Sequence, residues 1–199
     1  MARAKKRAAK TGRSGAARRR TSAGTDAITL LKADHRQVEA LFKQFESTRS
    51  DAKKQGLAGQ ICRALRVHTT IEEEIFYPAF LEATEDKDIH HEAEVEHDGA
   101  KKLIAEIEGS GPQDDYYDAK VSVLSEMIKH HVTEEEKRDG MFGKAKQSDM
   151  DLAVLGEQLA ARKKELQAEV GEEEESGIGS SRSASHAGRG VLARLSKRM

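Results

Sequence analysis

Two His-x-x-x-Glu motifs, His68 to Glu72 and His131 to Glu135, each follow a lone histidine, His35 and His97. His35 precedes His68 by 33 residues, and His97 precedes His131 by 34. The halves are offset by 62 for the lone histidines and by 63 for both members of the motif. An acid, Asp34 or Glu96, stands before each lone histidine, and Leu41, Phe42 and Phe45 in the first half match Leu103, Ile104 and Ile107 in the second. Apolar positions that repeat together with histidines put those histidines on packed elements, facing the same way in each copy. The chain is thereby constrained to a duplicated helix pair whose inward faces carry six metal-type side chains.

The periodicity predicts five helices. The first starts at Thr25 or Asp26, either able to cap the exposed amides, and runs to about residue 50 with the stripe Leu31, His35, Val38, Leu41, Phe42, Phe45. The second, about 51–83, carries Ile61, Leu65, His68, Glu72, Ile75 and Ala79 at steps of three and four. The third, about 87–108, carries Ala93, His97, Ala100, Ile104 and Ile107 and stops at Gly109-Ser110-Gly111-Pro112. The fourth, about 113–138, carries Val121, Leu124, Ile128, His131 and Glu135. A fifth, about 148–170, is amphipathic through Leu152, Leu155, Leu159 and Leu166, and it is expected to pack outside the bundle or against another copy of the chain. Long helices with short connections predict an all-α, antiparallel up-down four-helix bundle plus a C-terminal helix. A continuous coiled coil is disfavoured, because Gly111-Pro112 breaks the pattern and six His and Glu residues on its apolar seam would be destabilising.

The net charge of −1 conceals an asymmetry. Residues 1–20 hold nine Lys or Arg and 176–199 hold five, with no acid in either stretch, which leaves 20 basic residues against all 35 acids between them. Both ends are also rich in Ala, Ser and Gly, so basic disordered tails over 1–24 and 172–199 are expected to flank a bundle over 25–146 and a helix over 147–171. No apolar run reaches the ~20 residues that span a bilayer, and the basic N-terminus lacks the apolar stretch of a secretory signal. A cytoplasmic protein with no membrane partner is expected. The single cysteine, Cys62, excludes an internal disulfide and falls among apolar helix positions, as a buried structural thiol would.

In a helix, i and i+4 share a face, so each motif offers an imidazole nitrogen and a carboxylate oxygen to one metal region, and the duplication supplies a second set. A divalent or trivalent cation keeps Glu72 and Glu135 ionised in a core where bare carboxylates would protonate. Nitrogen and oxygen donors without thiolate suit iron or manganese, and zinc also accepts the mixture. The two carboxylates, lying between two sets of histidines, are positioned to bridge a metal pair. Other candidates are set aside. His90 and His91 have no repeat counterpart, and His130 with Glu134 is rotated about 100° from His131 and Glu135, hence a surface pair. Glu73, Glu74 and Glu136 read as solvated, with Glu73 and Glu136 also at repeating positions that can support the ligands.

Asp34-His35, His68-Thr69-Thr70-Ile71-Glu72-Glu73-Glu74-Ile75-Phe76-Tyr77-Pro78, Glu96-His97 and His131-Val132-Thr133-Glu134-Glu135-Glu136 together resemble the hemerythrin-like, HHE cation-binding family over about residues 26–146. The resemblance implies a non-haem di-iron centre with His35, His68, His97 and His131 as terminal ligands and Glu72 and Glu135 as bridges. The match to oxygen-carrying members is weaker: they use a further histidine on the third helix, whereas Ala93 and Lys101 flank His97 at four residues on either side. The second half also departs after Glu136, where Lys137-Arg138-Asp139-Gly140-Met141-Phe142-Gly143 replaces the Phe-Tyr-Pro ending of residues 76–78.

The leading functional expectation is a di-iron protein that senses or handles iron, dioxygen, peroxide or nitric oxide, without assigned catalytic residues. An enzyme for peroxide breakdown or iron-sulfur centre repair is the alternative the resemblance implies. A third expectation is a nucleic-acid-associated stress protein, with Lys5-Lys6-Arg7 and Arg18-Arg19-Arg20 giving weak, salt-sensitive phosphate contacts. The fifth helix is the expected surface for a homo-oligomer.

Overall fold

The computed structural model describes residues 25–184, with side chains through residue 169. The expected N-terminal tail, and the C-terminal tail beyond residue 184, lie outside the described residues. Asp26 opens α1 (Ala27–Ser47) by accepting the Thr29 amide at 3.0 Å, which satisfies one of the unpaired donors of the first turn. A short extended link leads to α2 (Asp51–Ile71), which continues through one π turn (Glu72–Phe76) into α3 (Tyr77–Thr84) as a single long rod. Glu85, in a left-handed conformation at φ 55°, ends the rod, and Asp86 caps α4 (Lys87–Glu108) through the Ile89 amide. After turns comes α5 (Tyr117–Glu136), then the short α6 (Met141–Ala145) and the long α7 (Leu152–Ala184).

α1 packs on α2, α4 on α5, α2 on α4 and α1 on α5, closing the four-helix bundle, while α7 lies along the outside of α1 and α2. Three boundaries differ from expectation. α5 begins at Tyr117, because Asp114 holds the preceding turn by accepting the Tyr116 amide at 2.8 Å on its side chain, a local bond that competes with helix. α7 begins at Leu152, where Asp151 takes the capping role through the Val154 amide. The α7 backbone then runs on to Ala184, past the expected end near residue 170 and into the stretch expected as tail, with no proline to interrupt it.

Two apolar clusters fill the interior. One, at the α1 C-terminal half, gathers Val38, Phe42, Phe45, Ile61, Cys62, Leu65, Ile104, Ile107, Val121 and Leu124. The other gathers Ile28, Leu31, Ile71, Phe76, Tyr77, Phe80, Met141, Phe142 and Leu159. Cys62 is buried as expected, and burial pushes its thiol up to about 11, so it stays protonated and inert. The segment after Glu136 closes the second cluster: α5 stops, Lys137 turns extended, and α6 inserts Met141 and Phe142. Gly140 makes this possible, since a Cβ there would collide with the Glu134 carbonyl. Gly156 does the same for α7, whose backbone crosses the start of α1 where a Cβ would strike the Thr25 carbonyl.

Candidate metal centre

Between the two apolar clusters lies one polar layer. His35 sits between Leu31 and Val38 on α1, His68 between Leu65 and Ile71 on α2, His97 between Ala93 and Ala100 on α4, and His131 follows Ile128 on α5. All four are buried, with Glu72 and Glu135 beside them at 0% and 3% exposure. The helices thus bring together all six residues singled out by the repeat.

Their Nε2 atoms converge. His35 and His68 Nε2 are 3.1 Å apart, and His97 and His131 Nε2 are 3.2 Å apart. Glu72 Oε2 lies 3.2 Å from His68 Nε2 and 3.5 Å from His97 Nε2, while Glu135 Oε2 lies 3.4 Å from His35 Nε2 and 3.6 Å from His131 Nε2. Each carboxylate therefore touches one histidine of each half, the placement a bridging ligand needs.

Three of the four outer nitrogens are hydrogen-bonded to acids, and the fourth, His68 Nδ1, faces one without a hydrogen bond. His35 Nδ1 faces Glu136 at 2.9 Å, His97 Nδ1 faces Glu73 at 2.8 Å, His131 Nδ1 faces Glu96 at 2.7 Å, and His68 Nδ1 faces Asp34 at 3.6 Å. The pseudo-symmetry is crossed. The acid before each lone histidine serves the motif histidine of its own half, and the acid after each bridging Glu serves the lone histidine of the other half. An ionised carboxylate only accepts, so it holds the proton on Nδ1 and leaves the Nε2 lone pairs facing inward. Ring nitrogens about 3 Å apart must share either a proton or a cation. Both oxygens of Glu72 and Oε2 of Glu135 are, in addition, buried without a hydrogen-bond donor, a deficit that metal ligation would remove. The donor set fits a pair of metal ions.

A family profile described as the hemerythrin HHE cation-binding domain matches residues 26–142, more than half of the chain. The chain belongs to the hemerythrin HHE cation-binding family. Its fold is similar to that of an HHE cation-binding domain-containing protein from Mycobacterium kansasii, with a TM-score of 0.61 and 24% identity, covering 72% of this chain and 88% of that one. A DNA nickase from Nostoc sp. (strain PCC 7120) is 28% identical over 107 residues, or 54% of this chain. The HHE chain spans only 30% of that relative's length.

Charge is tightly managed in this HHE domain. Burial, reinforced by the neighbouring Glu135, raises the Glu72 carboxyl well above the usual carboxylate range. Burial also raises Glu135, against the opposing pull of His131 and His68. Burial pushes His97 down to about 4 and His35 lower still, the latter helped by the nearby His68. At His131 burial disfavours the charged ring, but the Glu135 and Glu96 carboxylates outweigh it and raise the group. Outside the layer, burial of Asp34 is overcome by His68 and by Lys163 of α7, and Glu73 is lowered chiefly by its bond to His97.

Tyr77 is the residue that sequence reasoning missed. Its hydroxyl donates to Glu135 Oε1 at 3.2 Å and lies 3.0 Å from His97 Nε2. The π turn aims it: the Tyr77 amide bonds the Glu72 carbonyl five residues back, so Tyr77 stands nearly above Glu72, where an α-helix would rotate it about 140° away. Its repeat counterpart is Gly140, which carries no side chain, so the repeat held no signal for it. Burial and the Glu135 and Glu72 carboxylates hold its phenol well above the ordinary tyrosine range. Phe142 stacks on His35 at 5.8 Å with an interplanar angle of 8°. His130 is exposed as expected, yet its nearest acid is Glu96 at 3.3 Å rather than Glu134. Glu74 is exposed and pairs with Arg162 of α7.

The histidine layer adjoins an internal cavity of about 10 Å³ lined by Val38, Leu65, Thr69, Ile128, Val132 and the four imidazoles, with Asp34 at its edge. That is room for about one water-sized molecule. A cleft of about 40 Å³ among Glu92, Glu96, Glu134, Lys137 and Met141 reaches His131 and Glu135. Among the described residues no helix is long and apolar enough to cross a membrane.

Proposed function

We propose that the protein is a non-haem di-iron protein, with His35, His68, His97 and His131 as terminal ligands and Glu72 and Glu135 as bridges, that handles a small molecule such as dioxygen, peroxide or nitric oxide. The observation that carries this reading is the convergence of four Nε2 atoms on three buried carboxylate oxygens that receive no hydrogen bond, both of Glu72 and Oε2 of Glu135, in a layer whose Nδ1 atoms are all faced by acids. Nitrogen and oxygen donors without thiolate favour iron, with manganese and zinc the competitors. A bound iron pair supplies redox capacity and open positions for a small ligand. The chain supplies the rest. The cavity of about 10 Å³ beside the imidazoles has room for one small molecule, and Val38, Leu65 and Ile128 line it with apolar surface. Glu73, Glu96 and Glu136 orient their imidazoles through hydrogen bonds to Nδ1 and raise their basicity, and Asp34 faces His68 Nδ1 at 3.6 Å. Elemental analysis after growth in iron should give two irons per chain, reduced in Glu72→Ala; less than one iron in the wild-type protein rejects the reading.

Tyr77 favours a second reading, peroxide breakdown, because its hydroxyl donates to Glu135 Oε1 and lies 3.0 Å from His97 Nε2, which puts a phenol proton inside the layer. Oxygen release from peroxide should fall at least tenfold in Tyr77→Phe; equal rates reject a proton role for Tyr77. A nucleic-acid role is supported by the similarity to a DNA nickase and by the basic composition of both ends. Its test is retention on DNA at low salt, which removal of residues 1–24 should reduce and added salt should abolish.

A further inference from the structure

A second group of metal-type side chains lies on α4 above the dinuclear layer. His90 and Glu94 are one helical turn apart, and His91 stands at i−3 from Glu94, so the three side chains share one edge of the helix. One donor atom from each of the three lies within 4.8 Å of the other two. His90 Nδ1 is buried with no hydrogen-bond partner and stands 3.4 Å from Glu94 Oε2. That separation is long for a hydrogen bond, but it matches the edge of a tetrahedron about a zinc-sized ion, about 3.4 Å for bonds of about 2.1 Å. The His90 side chain is 12% exposed, and its ring is steadied edge-on against Tyr77 with centroids 6.0 Å apart. His91 and Glu94 are exposed, leaving the remaining coordination position to water. Tyr77 separates this group from the core, and seven residues of helix, about 10 Å of rise, separate His90 from His97.

We propose that His90, His91 and Glu94 form a peripheral site for one divalent transition-metal ion, separate from the dinuclear centre. One ligand, His90, is held in place by packing, and the two rim ligands close on the ion from solvent. A three-donor set with an open fourth position suits exchangeable binding of Zn²⁺ or Fe²⁺.

The test uses full-length protein carrying its native metal, dialysed against Zn²⁺ and analysed for zinc and the native metal separately. Wild-type protein should gain one zinc per chain with the native metal content unchanged. His91→Ala and Glu94→Gln, both at exposed positions and so compatible with folding, should each weaken that binding at least tenfold. A crystal of the zinc-treated protein should show an anomalous peak bonded to all three side chains. Zinc gained only as native metal is lost, no zinc gained, or undiminished binding in the His91→Ala, Glu94→Gln double variant would each overturn the site.

Discussion

Glu72 is the residue on which the proposed metal centre makes its sharpest demand. It is fully buried with neither oxygen receiving a hydrogen bond, a cost to the metal-free chain that ligation in the proposed centre would remove. Glu72→Gln should therefore make the metal-free protein more stable at pH 7 by about 1–3 kcal/mol, as an uncompensated buried acid is removed, while lowering metal content. Urea denaturation of the stripped variant together with elemental analysis checks both halves, and a variant that is less stable and still fully loaded would contradict the account. His97 gives a pH signature of opposite sign from the same cause, burial. Its folded pKa of about 4 lies below the unfolded 6.5, so the unfolded chain binds more protons between these values. The stability of the metal-free protein contributed by neutral His97 is present above 6.5 and lost as pH falls towards 4. In His97→Asn the urea midpoint should vary less steeply with pH across that window; an unchanged slope would contradict it. At this scale the six inward residues were legible from the repeat, because equal offsets and shared apolar neighbours fix facing. Tyr77 was not, since its direction depends on a π turn that no local composition announces and its repeat partner is a glycine.

The elements divide the work unevenly. α1, α2, α4 and α5 each bring one histidine, whereas the π turn and α6 make the two ends of the layer different. Their helical periods were readable in sequence, and α4 was placed to the residue. The start of α5 and the start of α7 were not, because side-chain bonds at Asp114 and Asp151 decide them. α7 was expected outside the bundle, and it seats there through Leu159, fully buried, and Lys163, which pairs with Asp34 behind His68. Leu159→Ala should lower stability by about 2–5 kcal/mol through the cavity it leaves. Chemical denaturation measures this, and a loss below about 1 kcal/mol would mean that α7 is not seated as described. Lys163→Ala removes the counter-charge from Asp34 and should alter the centre's absorption spectrum while leaving the helical content unchanged by circular dichroism; an unchanged spectrum would place Lys163 outside the centre's influence.

The whole molecule is a polar layer between two apolar clusters, duplicated in sequence and crossed in its supporting acids. Such a layer holds two buried carboxylates and four imidazoles whose inner lone pairs converge, so folding and metal binding are coupled. Removing metal should lower the thermal midpoint, and restoring it should recover the midpoint with release of protons from Glu72 and Glu135, followed in weakly buffered solution. The four-helix architecture was legible because helix length, short links and the repeat agree, while the plug formed by Met141 and Phe142 depends on a close approach at Gly140 that only the folded chain displays. The most direct measurement is elemental analysis of the natively loaded full-length protein and of Glu72→Gln and Glu135→Gln. A paired centre predicts two metal ions per chain, iron in iron-grown cells, with both lost or sharply reduced in either variant. Fewer than one ion per chain in the wild type, or two ions retained after either bridge is replaced, would contradict it.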